Sequence, residues 1–196
     1  MPVPSLIVRR FRGGAGRPSS IRKQNLLLVL STGLAAMALT NATGCGSNHG
    51  TMIHDDVALL SFELWDGTET TLADLVADDG RPLVVNLWAT WCTPCLQEMP
   101  DLQKVHETHG NLVRLIGLNV SDSPTRAEVR AKEIGVTYLL GRDPNGLFSE
   151  ALGAVGLPVT AFVDTTSRVV QVHHGPMDFE ALTSVLEKNL GAVPND

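Results

Sequence analysis

Cysteine and positive charge are both scarce in this chain. It has three cysteines among 196 residues, and two of them, Cys92 and Cys95, are only three positions apart. From Cys45 to the C-terminus there are nine Lys and Arg residues against twenty-one Asp and Glu residues, a net charge of −12. Binding to nucleic acid or to an anionic membrane through charge is therefore disfavoured, because both require cationic patches.

Acidic residues are absent from the first 44 positions, which carry six cations and an apolar stretch at residues 26–39. The cations are Arg9, Arg10, Arg12, Arg17, Arg22 and Lys23. A cationic segment followed by an apolar one is typical of a secretory signal, so we predict that residues 1–44 form a signal segment outside the fold. The apolar stretch has about 14 residues, fewer than the roughly 20 that span a bilayer, so a permanent transmembrane helix is the less favoured alternative.

The signal segment ends in small residues before a lone cysteine, Asn41-Ala42-Thr43-Gly44-Cys45. This run resembles the lipobox of bacterial lipoproteins, although Ala42 stands where leucine is usual. We therefore predict a lipid on Cys45, with ordinary cleavage nearby and retention as an anchor as the alternatives. Residues 45–56, rich in Gly, Ser, Asn and His, are predicted to form a flexible tether, and residues 57–196 the folded domain.

Apolar runs and turn signals in the folded part predict an α/β fold. The near-continuous apolar run at residues 83–88 is typical of a strand covered on both faces by helices. It is preceded by a hairpin and followed by helix, strand, helix, strand, strand and helix, with an insertion between Ser121 and Leu152 that includes a short strand at residues 136–140. Helical crossovers give parallel strands and terminal hairpins give antiparallel ones, so we predict a mixed sheet.

The most informative stretch is Trp88-Ala89-Thr90-Trp91-Cys92-Thr93-Pro94-Cys95, which joins the buried strand to a predicted helix. The first turn of a helix has unpaired backbone N–H groups and the positive end of the helix dipole, so a thiol there is stabilised as thiolate. Cys92 is closest to the helix start and is the expected nucleophile, and Cys95, one turn on, lies on the same side. With Cys45 assigned to the lipid, no partner remains for a structural disulfide, and a single CxxC pair indicates redox chemistry.

A zinc half-site is the alternative interpretation of the cysteine pair. It would need a second pair of ligands. The candidates are His106, His109, His173 and His174. A dithiol at a strand-to-helix turn, framed by Trp91 and Pro94, is better explained by redox chemistry, so we predict no metal.

Two segments together identify a family. They are Asn86-Leu-Trp-Ala-Thr-Trp-Cys-Thr-Pro-Cys-Leu-Gln-Glu-Met-Pro100 and Val155-Gly-Leu-Pro-Val-Thr-Ala-Phe-Val-Asp164. Residues 57–190 resemble the TlpA/ResA-like (DsbE-type) group of thioredoxin-fold thiol–disulfide oxidoreductases, which are bacterial extracytoplasmic proteins, often membrane-tethered, some of them serving cytochrome c maturation. The resemblance implies a three-layer sandwich with a mixed central sheet and no cofactor beyond the Cys92–Cys95 disulfide.

The resemblance also implies roles for residues around the dithiol. Cys92 attacks a substrate disulfide, and Cys95 then displaces the product from the mixed disulfide. Asn86 stands where thioredoxin has a buried aspartate, so another group must accept the proton of Cys95. Glu98 occupies the place of the glutamate that ResA-like proteins use near the dithiol, and a half-buried carboxylate there would have a raised pKa.

The expected substrate-docking surface surrounds the dithiol. Pro158 matches the family's cis-proline, so the backbone of Leu157 is expected to pair with an extended substrate segment. Trp91 is expected to line the surface, with Trp88 packed inward. Thr93 and Pro94, between the cysteines, complete the predicted contact residues and tune the stability of the thiolate.

The leading functional interpretation is an extracytoplasmic, membrane-anchored reductase of exported protein thiols or apocytochrome c. We expect a monomer that receives electrons from a membrane thiol protein, with protein thiols and disulfides as substrates and no nucleic acid partner. An oxidase that installs disulfides in secreted proteins is the rival within the same fold. A metal or haem chaperone lipoprotein is the alternative from another class, and it would require a ligand set that the scattered histidines and methionines do not form.

Overall fold

The computed structural model describes residues 56–192. The predicted signal segment, Cys45 and the rest of the predicted tether up to residue 55 lie outside the described residues, as do residues 193–196. Within the described range, no helix is both long and apolar enough to cross a membrane.

Seven strands and five α-helices alternate along the described part of the chain. The strands are β1 (Phe62–Leu64), β2 (Glu69–Thr70), β3 (Leu83–Trp88), β4 (Arg114–Val120), β5 (Leu139–Asp143), β6 (Val159–Val163) and β7 (Val169–His174). The helices are α1 (Leu72–Asp79), α2 (Thr93–His109), α3 (Pro124–Ile134), α4 (Leu147–Ala151) and α5 (Phe179–Val185). A 3₁₀ turn, Val57–Leu59, precedes β1, and a π-helical turn, Leu186–Leu190, follows α5.

The strands form one sheet in the order β2-β1-β5-β4-β3-β6-β7. Strands β3, β4 and β5 are parallel, whereas β6 runs antiparallel to β3 and both edge hairpins are antiparallel. The predicted mixed sheet is confirmed. Strand β3 lies between β4 and β6, and all of its residues are buried because helices cover both faces of the sheet.

Alternate residues of β3 point to opposite faces of the sheet and pack against different helices. Leu83, Val85 and Leu87 belong to a core formed with α1 and α4. On the other face, Val84 packs with α2 and α5, and Trp88 packs with α2 and α3. The fold is therefore the predicted three-layer sandwich, with two helices on one face of the sheet and three on the other.

The segment predicted as an insertion, between Ser121 and Leu152, contains α3, β5 and α4, but β5 begins later than predicted. The sequence pattern placed this strand at residues 136–140, whereas β5 spans Leu139–Asp143. Gly135 adopts a left-handed conformation with φ of +87°, and the Val136 N–H donates to the Ala131 carbonyl. Because this C-terminal cap of α3 uses the backbone of Val136, the strand starts only after it.

Gly117 in β4 makes room for two large aromatic side chains. A Cβ atom at this position would lie 2.9 Å from Cδ2 of Leu140, 3.1 Å from Cε2 of Tyr138 and 3.2 Å from Nε1 of Trp88. These separations are shorter than ordinary packing allows. The missing side chain therefore lets Trp88 lie against β4, and Trp88 shares its core cluster with Cys92 and Cys95.

Candidate active site

Cys92 and Cys95 lie at the start of α2 and form a disulfide, with 5.3 Å between their Cα atoms. Cys92 is the N-cap residue of the helix, and its sulfur accepts a hydrogen bond from the Cys95 N–H at 3.2 Å. Cys92 keeps 5% of its surface exposed, whereas Cys95 has none. After reduction, Cys92 is thus the sulfur that a partner can reach, at the helix end that favours a thiolate.

Glu98 lies one helical turn after Cys95 and has only 3% of its surface exposed. Its Oε1 accepts a hydrogen bond from Asn86 Nδ2 at 2.6 Å, and its Oε2 accepts one from the Met177 N–H at 3.0 Å. Asn86 Nδ2 also donates to Thr160 Oγ1 at 3.1 Å. The buried carboxylate of α2 is therefore bonded directly to β3 and to the segment before α5, and through Asn86 to β6.

Burial raises the pKa of Glu98 from 4.5 to about 7. Burial is the largest effect, and the nearby charge of Asp101 adds to it, while the hydrogen bonds from Met177 and Asn86 act in the opposite direction. The carboxyl group can therefore take up or release a proton close to neutral pH. Side chains three apart on a helix have Cβ atoms about 5–6 Å from each other, which places this group near Cys95.

Asn86 has a side chain that suits both protonation states of Glu98. Its amide nitrogen donates to the carboxylate and to Thr160, while its Oδ1 is buried without a hydrogen-bond partner in the described structure. An amide has both donors and an acceptor, so after a rotation its oxygen could accept from a protonated carboxyl group. The asparagine that replaces the thioredoxin aspartate thus partners the carboxylate instead of supplying one.

The residues predicted to contact substrate surround the exposed side of the dithiol. Trp91 is 63% exposed, and Trp88 is fully buried, as the sequence suggested. Thr93 and Pro94 are exposed at the start of α2. Leu157 packs against the cluster that contains both cysteines, and its peptide bond to Pro158 is cis, as the resemblance implied.

Asp122 was not recognised from the sequence as part of the site. Its side chain is fully buried and accepts hydrogen bonds from the Thr90 N–H at 2.6 Å, the Thr90 hydroxyl at 3.0 Å and the Ser123 N–H at 2.7 Å. Burial opposes the charge of Asp122, but these hydrogen bonds and one from Asn119 outweigh it and lower its pKa. The carboxylate therefore fixes the loop that leads to Cys92.

One sequence signal for Asp122 existed. The segment Ser121-Asp122-Ser123-Pro124 predicts a helix N-cap, and Ser123 does hold that position but makes no side-chain cap hydrogen bond. Strands β3 and β4 are parallel and paired, with Trp88 opposite Asn119. The loops after them therefore meet at one edge of the sheet, and a polar residue just after β4 is placed to contact the loop before the dithiol.

Residues 55–190 match the model of the Redoxin family. The chain belongs to the redoxin family. The thiol:disulfide interchange protein DsbE of Vibrio cholerae serotype O1 is 30% identical over 169 residues, which cover 83% of this chain and 90% of that relative. The thiol-disulfide oxidoreductase ResA of Geobacillus thermodenitrificans is 30% identical over 125 residues, which cover 62% of this chain and 69% of that relative.

The fold of this redoxin is also found in solved structures. The crystal structure of a DsbF homologue from Corynebacterium diphtheriae is similar, with a TM-score of 0.58 and 31% identity, over 66% of this chain and 83% of that one. The resemblance drawn from the sequence motifs is confirmed. This redoxin is a thiol–disulfide oxidoreductase of the DsbE and ResA type.

The redox chemistry of a redoxin of this type is carried by its own cysteines. Within residues 56–192, no group of three or more His, Cys, Asp or Glu side chains is arranged to hold a metal ion. His173 and His174 are consecutive in β7, so their side chains point to opposite faces of the sheet. His109, another candidate ligand, is buried against Phe179, with 6.2 Å between the ring centroids.

Proposed function

We propose that this redoxin is an extracytoplasmic reductase that acts on disulfides of exported proteins, apocytochrome c among them. The predicted signal segment and the predicted lipid on Cys45 support a location outside the cytoplasm at a membrane. Relatives named thiol:disulfide interchange protein and thiol-disulfide oxidoreductase support protein disulfides as substrates. The observation that carries the disulfide exchange is the Cys92–Cys95 pair at the start of α2, with the buried Glu98 one turn after the buried Cys95.

The proposed cycle begins with the Cys92 thiolate, which attacks one sulfur of the substrate disulfide and releases the other sulfur as a thiolate. Cys95 then loses its proton and attacks Cys92 in the mixed disulfide. The second substrate thiolate leaves as the Cys92–Cys95 disulfide forms, so two electrons pass from the protein to the substrate. A dithiol of a membrane protein restores the reduced form by the reverse exchange.

Glu98 supplies what the second step needs. Cys95 has no exposed surface, so water cannot readily take its proton when it must become a thiolate. The carboxylate of Glu98 is a base of suitable pKa on the same helix. We therefore assign to Glu98 the acceptance of the Cys95 proton, which it releases when the dithiol is restored.

The surroundings of the dithiol favour reduction over oxidation. A dithiol is a strong oxidant when its surroundings stabilise the reduced thiolate. Here Cys92 and Cys95 pack in a cluster with the apolar side chains of Trp88, Met99 and Ala127, and the titratable group one turn after Cys95, Glu98, is acidic. An ionised carboxylate opposes a neighbouring thiolate, so we expect a low reduction potential.

A redox titration tests the direction of electron flow. The Cys45→Ser protein retains only Cys92 and Cys95. It is equilibrated in dithiothreitol buffers, and its reduced fraction is measured by thiol alkylation. We expect a reduction potential below about −250 mV, in the range of reducing thioredoxins. A potential near −120 mV, that of a strong oxidase, would reject the reductase proposal.

Lipid attachment is tested separately from the redox chemistry. Cells expressing the full chain are labelled with a fatty acid that carries a clickable group, beside cells expressing the Cys45→Ser variant. The proposed anchor predicts label and membrane fractionation that depend on Cys45. Release of an unlabelled, soluble protein from the wild-type chain would instead support ordinary cleavage of the signal segment.

A further inference from the structure

A surface groove of about 450 Å³ lies beside the dithiol, between the loop before Cys92 and helix α3. Thr90 and Trp91 form one wall of the groove. Residues of α3 form the other wall, chiefly Arg126, Val129, Arg130 and Glu133. We call this feature the α3 groove. It lies on the outside of the protein, whereas Glu98 lies behind the dithiol.

The α3 wall is a single face of the helix. Its residues are spaced at i, i+3, i+4 and i+7, the spacing that places side chains in one stripe. The residues of α3 that are buried in the core, Ala127 and Ala131, lie outside this stripe. Val129 is 54% exposed and faces the groove together with Trp91, which is 63% exposed. Two apolar side chains thus remain open to solvent next to the reactive sulfur.

Asp122 contacts both walls of the α3 groove. Asp122 binds the backbone and side chain of Thr90 on one side, and one of its oxygens lies 3.7 Å from the Arg126 guanidinium on the other. A groove whose walls are already fixed loses little conformational entropy when a segment binds.

The charge of the groove differs from that of the rest of the protein. Residues 56–192 contain nine Lys and Arg against nineteen Asp and Glu, yet two of these cations line this one groove. The Arg126 side chain is 74% exposed and that of Arg130 is 48% exposed. Arg130 pairs with Glu133 at 2.9 Å, but an exposed pair of this kind is weak and can exchange partners.

We propose that the α3 groove binds a segment of the substrate polypeptide that lies next to its cysteine and carries an apolar residue beside a carboxylate. The apolar side chain would pack on Trp91 and Val129. The carboxylate would accept hydrogen bonds from Arg126 and Arg130, whose guanidinium groups suit bidentate contacts. Docking in this groove rests on the proposed reduction of substrates at Cys92 and defines the class of substrate preferred.

Two synthetic peptides test the preference. Each contains one cysteine in a mixed disulfide with glutathione, and they differ only in carrying Glu-Leu or Lys-Leu pairs on both sides of that cysteine. The rate constant for reduction by the reduced protein is measured at low and at physiological ionic strength. We expect the acidic peptide to react about three to ten times faster, with a smaller ratio at higher salt. The net negative charge of the domain alone would favour the basic peptide.

Charge-reversal variants on one helix locate the effect. Arg130→Glu should abolish or reverse the preference, and Arg130→Gln should give an intermediate ratio. Lys132→Glu is the matched control, because Lys132 is exposed on the same helix but does not line the groove. It carries the same change of charge and should keep the wild-type ratio.

The outcomes separate the docking proposal from the proposed function. Equal rates for the two peptides, faster reduction of the basic one, or an equal loss of preference in Lys132→Glu and Arg130→Glu would overturn docking in the α3 groove and leave the reductase activity standing. Failure of the wild-type protein to reduce either peptide would overturn the proposed reductase, and docking with it. Loss of the acidic preference in Arg130→Glu alone supports the proposal.

Discussion

Two buried carboxylates flank the dithiol, and their pKa values move in opposite directions. Glu98, behind the cysteines, accepts two hydrogen bonds, and burial raises its pKa to about 7. Asp122, beside the loop before Cys92, accepts three hydrogen bonds from Thr90 and Ser123. Those bonds outweigh its burial and lower its pKa.

The number of hydrogen-bond donors explains why one carboxylate can exchange a proton near neutral pH while the other stays charged. A buried carboxylate with few donors can titrate near neutral pH, because neither charge state is strongly preferred. A carboxylate that satisfies several backbone and hydroxyl donors stays charged and holds those groups in place. Glu98 is thus suited to exchange a proton with Cys95, and Asp122 is suited to hold the active-site loop still.

The largest effect on activity is expected when the cysteines themselves are replaced. Cys92→Ser should lower the rate of insulin reduction to background, because Cys92 is the more accessible of the two sulfurs and begins the exchange. Cys95→Ser should instead accumulate a mixed disulfide with substrate, visible on a non-reducing gel. Accumulation in the Cys92→Ser protein would mean that the assigned order of attack is wrong.

Replacement of Glu98 should slow the second step of the exchange. Glu98→Gln keeps the shape of the side chain but removes the base, so resolution of the mixed disulfide at pH 7 should slow on the order of 100-fold. The rate should also lose its inflection near pH 7, which stopped-flow measurements across pH 5–9 would reveal. Asp122→Asn is the matched control, since it neutralises the other carboxylate, and its profile should keep the inflection.

The same pKa predicts how stability changes with pH. The Glu98 pKa is raised from 4.5 to about 7 in the folded protein, so the folded state binds more protons between these values. The stabilisation is therefore complete below about pH 4.5 and is lost as the pH rises through 7, a change on the order of 3 kcal/mol. Urea unfolding of the oxidised protein should show this decline, and Glu98→Gln should remove it.

Asp122 should matter more for stability than for proton transfer. Asp122→Ala leaves the Thr90 and Ser123 N–H groups without their acceptor, and we expect a loss of about 2–3 kcal/mol in the free energy of unfolding. Because the pKa of Asp122 is lowered, its contribution is present above pH 3.8 and falls away in acid. Chemical unfolding at pH 7 measures the loss. An unchanged midpoint would show that the loop is fixed by other contacts.

The smallest effect on stability is expected when the hydrogen bond from Asn86 to Thr160 is removed. Thr160→Val preserves the shape of a fully buried side chain but removes the acceptor for Asn86 Nδ2. A loss of about 1 kcal/mol in the free energy of unfolding should follow, and the inflection near pH 7 should remain. Loss of that inflection in this variant would mean that Asn86 and Thr160 set the proton affinity of Glu98.

Much of this arrangement could be predicted from short stretches of sequence. The apolar run of β3, the dithiol at the helix start and the position of Glu98 one turn after Cys95 all follow from local periodicity. The role of Asp122 could not be predicted in this way. It depends on a contact between residues 32 positions apart, which exists only because β3 and β4 are neighbours in the sheet.

The α3 groove illustrates the same limit. The sequence shows that an insertion follows β4, but not which face of its helix will lie beside Trp91. Arg126, Val129 and Arg130 look like ordinary surface residues until α3 packs through Ala127 and Ala131 against the cluster around the dithiol. The strand that follows α3 also begins later than the apolar run predicts, because the backbone of Gly135 and Val136 caps the helix.

The close packing of side chains over Gly117 links a position in β4 to the surroundings of the dithiol. An added methyl group at this position would press on Leu140, Tyr138 and Nε1 of Trp88, and Trp88 packs in the cluster with both cysteines. A homologue with alanine at position 117 should therefore carry a smaller ring at position 88, and each substitution should be tolerated better in the presence of the other. Covariation between positions 117 and 88 would show that the packing of the Trp88 ring beside the dithiol constrains both residues.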